Sequence, residues 1–363
     1  MPIAFSPHSM NPKEKLSNDW KWQIAHRITT QGQLEKWIKL SPQELAAFDG
    51  GTPLPFAVTP YYAALLKNTA LRRTVVPIGA ERLTTHGELA DPLGEEHHRA
   101  TEHLIHTYPD KVLFIATTHC SSHCRYCTRS RLVGKSQTNN SSFTKSFQYL
   151  EAHTEIHDVL ISGGDPLTLS DSTLDTLLSN LRKIPHIRTI RIGSKVPAVL
   201  PMRITPELCT ILRHHHVWLS LHFIHPAELT TETRTACRKL SDHGLAMVSQ
   251  TVLLKGINDN TQTLTDLFYG LLETNVKPYY LLQCDPVRGS AHFRTSVKKG
   301  IELIRSLQGR ISGLAIPQYV IDAPGGGGKV PILGTEQIQR ESNEIVIINY
   351  EGKPFRYPDL ETT

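Results

Sequence analysis

Between Lys111 and Leu307, short apolar runs rich in β-branched and aromatic residues alternate with stretches of helical periodicity. The runs are Val112–Thr117, Asp158–Ser162, Thr189–Ile192, Val217–Phe223, Met247–Leu254 and Val276–Leu282. The helical stretches are Phe143–His153, Thr173–Lys183, Pro206–His214, Glu228–His243, Thr261–Thr274 and Val297–Leu307. A strand and a helix recurring every roughly 30 residues are what βαβ units require, because parallel neighbours must be joined by a crossover. The runs are apolar along their whole length, as befits strands covered on both faces. Six units fall short of a full eight-unit barrel. An α/β fold follows, either a six-stranded partial barrel or an open doubly wound sheet, and the spacing is compatible with both.

The flanks differ from this core. Residues 1–107 read as a helical N-terminal region: Trp20–Trp37 has apolar residues at helical spacing, and Ser41-Pro42 with Glu44 supplies a cap, an N1 proline and an N3 acid. Residues 108–324 form the repeating core. Residues 325–363 hold a glycine strap and a hairpin, in which Glu344–Asn349 and Phe355–Tyr357 flank Glu351-Gly352. The chain's 363 residues suit one large domain or two ordinary ones. With 39% apolar and 20% charged residues it cannot be a disordered chain. No apolar stretch approaches the ~18 residues of a membrane span, and the first residues lack a signal peptide's apolar segment. A net charge of +5, scattered along the sequence, does not mark a nucleic-acid surface. The expectation is a cytoplasmic protein binding neither membrane nor nucleic acid.

Cysteine placement is more informative than cysteine number. Of six, Cys120, Cys124 and Cys127 crowd together, and Cys209, Cys237 and Cys284 stand apart. In a reducing compartment a clustered set reads as metal-binding or redox chemistry. A structural zinc site wants four protein ligands; here there is no fourth cysteine, and His123 beside Cys124 is badly placed to join the same tetrahedron. Three ligands suit a [4Fe–4S] cube that keeps one iron free for a substrate or cofactor. The motif follows the first core strand, at the strand end where α/β folds place their sites.

Two glycine-containing segments accompany it. Gly163-Gly164-Asp165 follows the second core strand, where glycines permit close backbone approach to a ligand and an aspartate can accept from an ammonium. Asp322-Ala-Pro-Gly325-Gly-Gly-Gly-Lys329 is not a phosphate loop, since Ala323 stands at the first glycine position and Val330 follows the lysine. A flexible glycine strap carrying one lysine suits a lysine that must swing as it forms and releases a Schiff base with pyridoxal phosphate (PLP). His214-His215-His216 reads as a solvated helix end, because consecutive side chains do not face one ligand.

The C-x3-C-x2-C spacing, with Tyr126 before the last cysteine, resembles the radical S-adenosylmethionine (SAM) enzymes. The chain as a whole resembles the lysine 2,3-aminomutase family. The likeness includes Asp19-Trp20-Lys21-Trp22-Gln23, Thr59-Pro60-Tyr61-Tyr62, Tyr108-Pro109-Asp110, Arg191-Ile-Gly193, His222-Phe-Ile-His225-Pro226, Gln283-Cys-Asp285, His292-Phe-Arg-Thr295 and the strap. This resemblance implies a partial (β/α)6 barrel. It implies Cys120, Cys124 and Cys127 as cluster ligands, with Gly163, Gly164, Asp165 and His222 at SAM. It further implies Lys329 as the PLP lysine, Arg129 for the substrate carboxylate, and Asp285 and Asp322 for a distal ammonium. Ile224 and Lys195 depart from the family's common residues, and no cysteine follows Cys284, so the zinc site of longer members is not expected here.

The activity implied is interconversion of L-lysine and β-lysine by 1,2-amino migration, an isomerase reaction. It would use a [4Fe–4S] cluster, SAM and PLP, and an electron donor such as flavodoxin or ferredoxin; a homo-oligomer is expected, although the family's oligomeric state does not carry over without the zinc site. The alternatives are a family member acting on another amino acid, one that makes β-lysine for translation-factor modification, and a non-catalytic iron–sulfur or zinc protein.

Overall fold

Five crossover helices of the repeat start on a side-chain cap, and Thr144–Ala152, between the first two core strands, does not. Ser170, Thr205, Thr230, Asn260 and Ser296 accept from the backbone N–H of Thr173, Leu208, Thr233, Thr263 and Lys299. Such caps stabilise a helix by about 1 kcal/mol each. The helices they open are Asp171–Arg182, Pro206–His214, Thr231–Asp242, Thr261–Leu272 and Val297–Leu307. Each buries one stripe, such as Leu174, Leu177, Leu178 and Leu181 in the first. The computed structural model describes residues 18–52, 54–134, 143–332, 338–341 and 344–358.

The strands are β1 (Arg99–Thr101), β2 (Leu104–Tyr108), β3 (Lys111–Thr117), β4 (Asp158–Gly163), β5 (Thr189–Ser194), β6 (Trp218–His222), β7 (Ala246–Leu253), β8 (Lys277–Gln283), β9 (Gln318–Ala323) and β10 (Gly328–Pro331). They form one sheet in sequential order. From β3 to β9 every pairing is parallel, while β1, β2 and β10 are antiparallel additions at the two ends. A doubly wound sheet reverses its strand order at a switch point; this one does not, so the barrel-like alternative holds. The two ends of the sheet also approach each other. The Lys329 N–H in β10 donates to the Tyr108 hydroxyl at the end of β2 at 2.8 Å, and the Gly325 N–H donates to the Pro92 carbonyl at 2.9 Å. The sheet therefore curls into an incomplete barrel whose seam is closed by isolated contacts rather than by a ladder.

The sequence pattern misses two features of this sheet. The parallel series has seven strands, the seventh being β9, and the region read as helical contains the β1–β2 hairpin. Trp20–Trp37 is also not one helix. It divides into Trp20–Ala25 and Gln31–Leu34, because Ile28 between them pairs with Val58 in an isolated bridge. The Ser41–Glu44 capping box is present as read. One hydrophobic core runs from Ile28 to Tyr319, joining the N-terminal helices to the sheet. A separate antiparallel sheet of β11 (Ile338–Glu341), β12 (Glu344–Ile348) and β13 (Pro354–Pro358) contains the expected hairpin. Among the described residues, no helix is long and apolar enough to cross a membrane.

Candidate active site

The cysteine loop leaves the C-terminal end of β3 and is held largely by the N-terminal region. The N–H groups of His123 and Arg125 donate to the carbonyls of Ala57 and Thr74 at 2.9 and 2.8 Å. The Arg125 side chain has no exposed surface. It is paired with Glu81, and it donates to the Leu54 carbonyl at 2.9 Å and the Thr52 hydroxyl at 3.0 Å. Arg27 donates to the Cys120 carbonyl at 2.6 Å.

Cys120, Cys124 and Cys127 are free thiols. Burial pushes all three up, Cys127 to about 11 and Cys120 further. For Cys120 the charges of Asp165, Cys127 and Cys124 add to burial, and for Cys127 that of Cys124 does. These thiols lose their protons only to a cation, as metal ligation requires. Among the described residues no three His, Cys, Asp or Glu side chains gather tightly enough to hold one metal ion. Three free thiols on one clamped loop fit a polynuclear iron–sulfur cluster, where each binds a different corner.

The glycine turn after β4 packs on this loop. A Cβ on Gly164 would lie 2.2 Å from the His119 carbonyl oxygen, and the Asp165 N–H donates to that oxygen at 2.7 Å. What the glycine admits here is the backbone of the cysteine loop. The Asp165 carboxylate accepts from Leu167 N–H (3.1 Å), the Ser194 hydroxyl (2.7 Å) and Lys195 N–H (2.7 Å). It ties the ends of β4 and β5 together beside Cys120. Lys195 in turn pairs with the fully buried Glu228, which also accepts from Tyr62 and from the Ile224 N–H.

On the other side of the site, charged groups from four strand ends meet. In the β9–β10 register Lys329 lies directly opposite Asp322. Cross-strand partners share a face, and the Lys329 ammonium sits 2.7 Å from an Asp322 oxygen. Burial, then the charge of Asp322, raises Asp285 to about 7, while Lys329 and Arg129 act to lower it. Burial, then Lys195, Arg129 and Lys329, lowers His222 to about 4, so its imidazole is neutral. The strap residues Gly325, Gly326 and Gly328 have φ of 74°, 92° and 78°, and Gly326 lies against His98. The strap is a fixed turn that delivers Lys329 to Asp322, and not a loose tether.

The structure thus gathers Arg129, His222, Asp285, Asp322 and Lys329 into one cluster, with the three cysteines and the Gly163–Asp165 turn adjoining it. The triple histidine stays outside: His215 bonds Asp175 at 2.7 Å.

The family model described as "Lysine-2,3-aminomutase" matches residues 304–363. The L-lysine 2,3-aminomutase of Acetoanaerobium sticklandii is 43% identical over 352 residues, which are 94% of this chain and 84% of that protein. The chain belongs to the lysine 2,3-aminomutase family. The L-lysine 2,3-aminomutase of Clostridium subterminale is 42% identical, over 94% of this chain and 84% of that protein. The glutamate 2,3-aminomutase of Clostridioides difficile is 37% identical, over 96% and 85%. Membership in the lysine 2,3-aminomutase family therefore leaves the substrate to be argued from the side chains of the site. Sequence reading missed several residues of that site: Arg27 and Glu81, which hold the cysteine loop, and Glu95, which holds Arg129. Their partners are 34 to 93 positions away in the chain, and no local spacing marks them.

Proposed function

We propose that this chain is a radical SAM, PLP-dependent aminomutase that interconverts L-lysine and β-lysine. The observation that carries the substrate is the Lys329 ammonium seated on Asp322, with Asp285 beside it. A lysine side chain of the protein occupies a subsite shaped and charged for a primary ammonium. Two partly buried acids side by side repel each other and are costly without a cation between them. Once Lys329 Nζ is engaged with PLP, both carboxylates are left for a substrate ammonium. Glutamate, bringing a second carboxylate, would meet repulsion there.

When bound, the cluster, SAM and PLP supply one-electron cleavage, a radical that abstracts hydrogen, and a carrier for the migrating nitrogen. The residues present fit that set. Cys120, Cys124 and Cys127 offer three thiolates from one clamped loop. Asp165 serves SAM by fixing the turn of Gly163 and Gly164 against that loop. Neutral His222 adds a polar ring without adding charge. Arg129 orients the substrate by its carboxylate, and Asp285 and Asp322 fix its far end. An extended lysine held at both ends has its C2–C3 bond fixed next to the carboxylate that Arg129 takes. This is catalysis by positioning.

The test is anaerobic reconstitution with iron, sulfide, PLP, SAM and a flavodoxin or ferredoxin as one-electron donor, followed by incubation with a panel of amino acids. β-Lysine from L-lysine, with no β-glutamate from L-glutamate, is the expected result. Turnover of glutamate and not lysine overturns the assignment.

A further inference from the structure

Arg129 does not stand free in the site. Its Nε and Nη2 both point to one oxygen of Glu95, each at 2.7 Å, and Nη1 donates to the Ser162 hydroxyl at 3.3 Å. The other Glu95 oxygen accepts from Arg131 at 2.9 Å. Glu95 is 5% exposed. One buried carboxylate therefore holds two arginines that would otherwise repel each other. The surrounding segment continues the pattern: Asp91 and Glu96 also reach Arg131, at 3.3 and 3.2 Å. The same segment is bonded to the strap through the Pro92 carbonyl and the Gly325 N–H.

Asp322 lies close enough for its charge to act on Arg129. Burial works to lower the guanidinium's proton affinity, and Glu95, then Cys127 and Asp322, outweigh it. The substrate-binding reading places an arginine for one end of the substrate and two aspartates for the other within a single site. Left alone, opposite charges in a low-dielectric cavity attract strongly, and pairing Arg129 with Asp322 would remove both receptors. We infer that Glu95 is a positioning residue: it grips the Nε–Nη2 edge of Arg129, keeps it from Asp322, and leaves the Nη1 end to receive the substrate's α-carboxylate. This rests on the reading of Arg129 given above.

The experiment uses the PLP-loaded protein and follows the cofactor's absorbance as ligand is added. L-Lysine is compared with lysinamide, which keeps both amines and lacks the carboxylate. Wild type should prefer lysine, and Arg129→Gln should lose that preference. Glu95→Gln should raise the Kd for lysine about tenfold or more, equivalent to ~1.4 kcal/mol, and leave lysinamide within about threefold. Glu95→Asp keeps the charge and should show the same pattern to a smaller degree, which serves if the glutamine variant folds poorly. Unchanged or tighter lysine binding in Glu95→Gln overturns the inference, as does equal weakening of both ligands. If Arg129→Gln loses the preference and Glu95→Gln keeps it, only the role of Glu95 falls. A preference that survives in Arg129→Gln overturns the carboxylate reading, and the inference with it.

Discussion

The cysteine loop and the glycine strap both present reactive side chains to one site, and they are held by opposite means. The cysteine loop is gripped by side chains: a buried arginine on Glu81, a second arginine on the Cys120 carbonyl, and backbone bonds into the N-terminal helices. The strap has few side chains to grip. Its glycines take left-handed turns against His98, Tyr108 and Pro92, and its lysine is secured by an ion pair with Asp322 that the proposed chemistry must break. Three thiols that share one object need mutual geometry that does not change. A lysine that exchanges partners needs a fixed backbone and a releasable tip. Buried ion pairs suit the first task and a rigid glycine turn suits the second.

The largest effect expected is on the loop itself. Cys124→Ala should leave reconstituted protein without its cluster, read as iron content falling from about four per chain to near zero, with activity abolished. Stoichiometric zinc in place of iron in the unaltered protein would break the comparison at its root. Next is the grip on the loop. Glu81→Ala leaves Arg125 buried and unpaired, which typically costs ~3–5 kcal/mol, visible as a lower midpoint in denaturant unfolding and reduced iron uptake. A neutral result there would mean the loop is set by its own backbone.

Asp322→Asn addresses the releasable tip. Truncating one partner of a buried charge pair costs ~2–5 kcal/mol; Asp322 is only partly buried, so the low end of about 2 kcal/mol applies, or roughly 30-fold in kcat/KM for lysine. An analogue lacking the ε-amine should lose much less, and borohydride should still fix PLP on Lys329. Equal losses for both substrates would make the aspartate structural. For the strap, Gly326→Ala should cost about 1–3 kcal/mol, since a Cβ would fall 2.1 Å from the His98 imidazole at a φ of 92°. The readout is reduced PLP occupancy with the iron content unchanged; loss of iron would show that loop and strap are not independent.

The smallest effect is on pH dependence. Asp285 titrates at about 7, so below that pH it is largely neutral and a poor partner for an ammonium. Lysine affinity should rise, by up to about tenfold, as pH goes from 6 to 8, and Asp285→Asn should flatten the profile. The same shift bears on folding. A carboxyl raised in the folded state stabilises it below pH 7 relative to above, so Asp285 contributes less to stability as pH rises through about 7.

The repeating core was legible because its signals are local. Helical periodicity over stretches such as Pro206–His214, and uniformly apolar strands, depend only on near neighbours in sequence. β9 escaped because Gln318–Ala323 mixes polar and apolar residues, which reads as the approach to the strap, and it becomes a strand through pairing with β8 and β10. The β1–β2 hairpin escaped because its strands are short and no Asn-Gly or Asp-Gly turn joins them. At the site, the cysteine spacing was visible in the residues themselves, and Arg129, Asp285 and Asp322 were visible through family resemblance. The cross-strand pairing of Lys329 with Asp322 needed the register. Glu95 needed the packing of a loop against a residue 34 positions away.

The N-terminal supports of the cysteine loop are encoded early. Arg27, Ala57, Thr74 and Glu81 precede the loop they hold, whereas Lys329 and its strap lie some 200 residues beyond Cys127. At typical synthesis rates of ~5–20 residues per second, the grip on the iron-binding loop is in hand tens of seconds before the ribosome releases the lysine that closes the seam. A truncated product lacking the strap would still carry the Arg27, Ala57, Thr74 and Glu81 contacts that secure the cysteine loop.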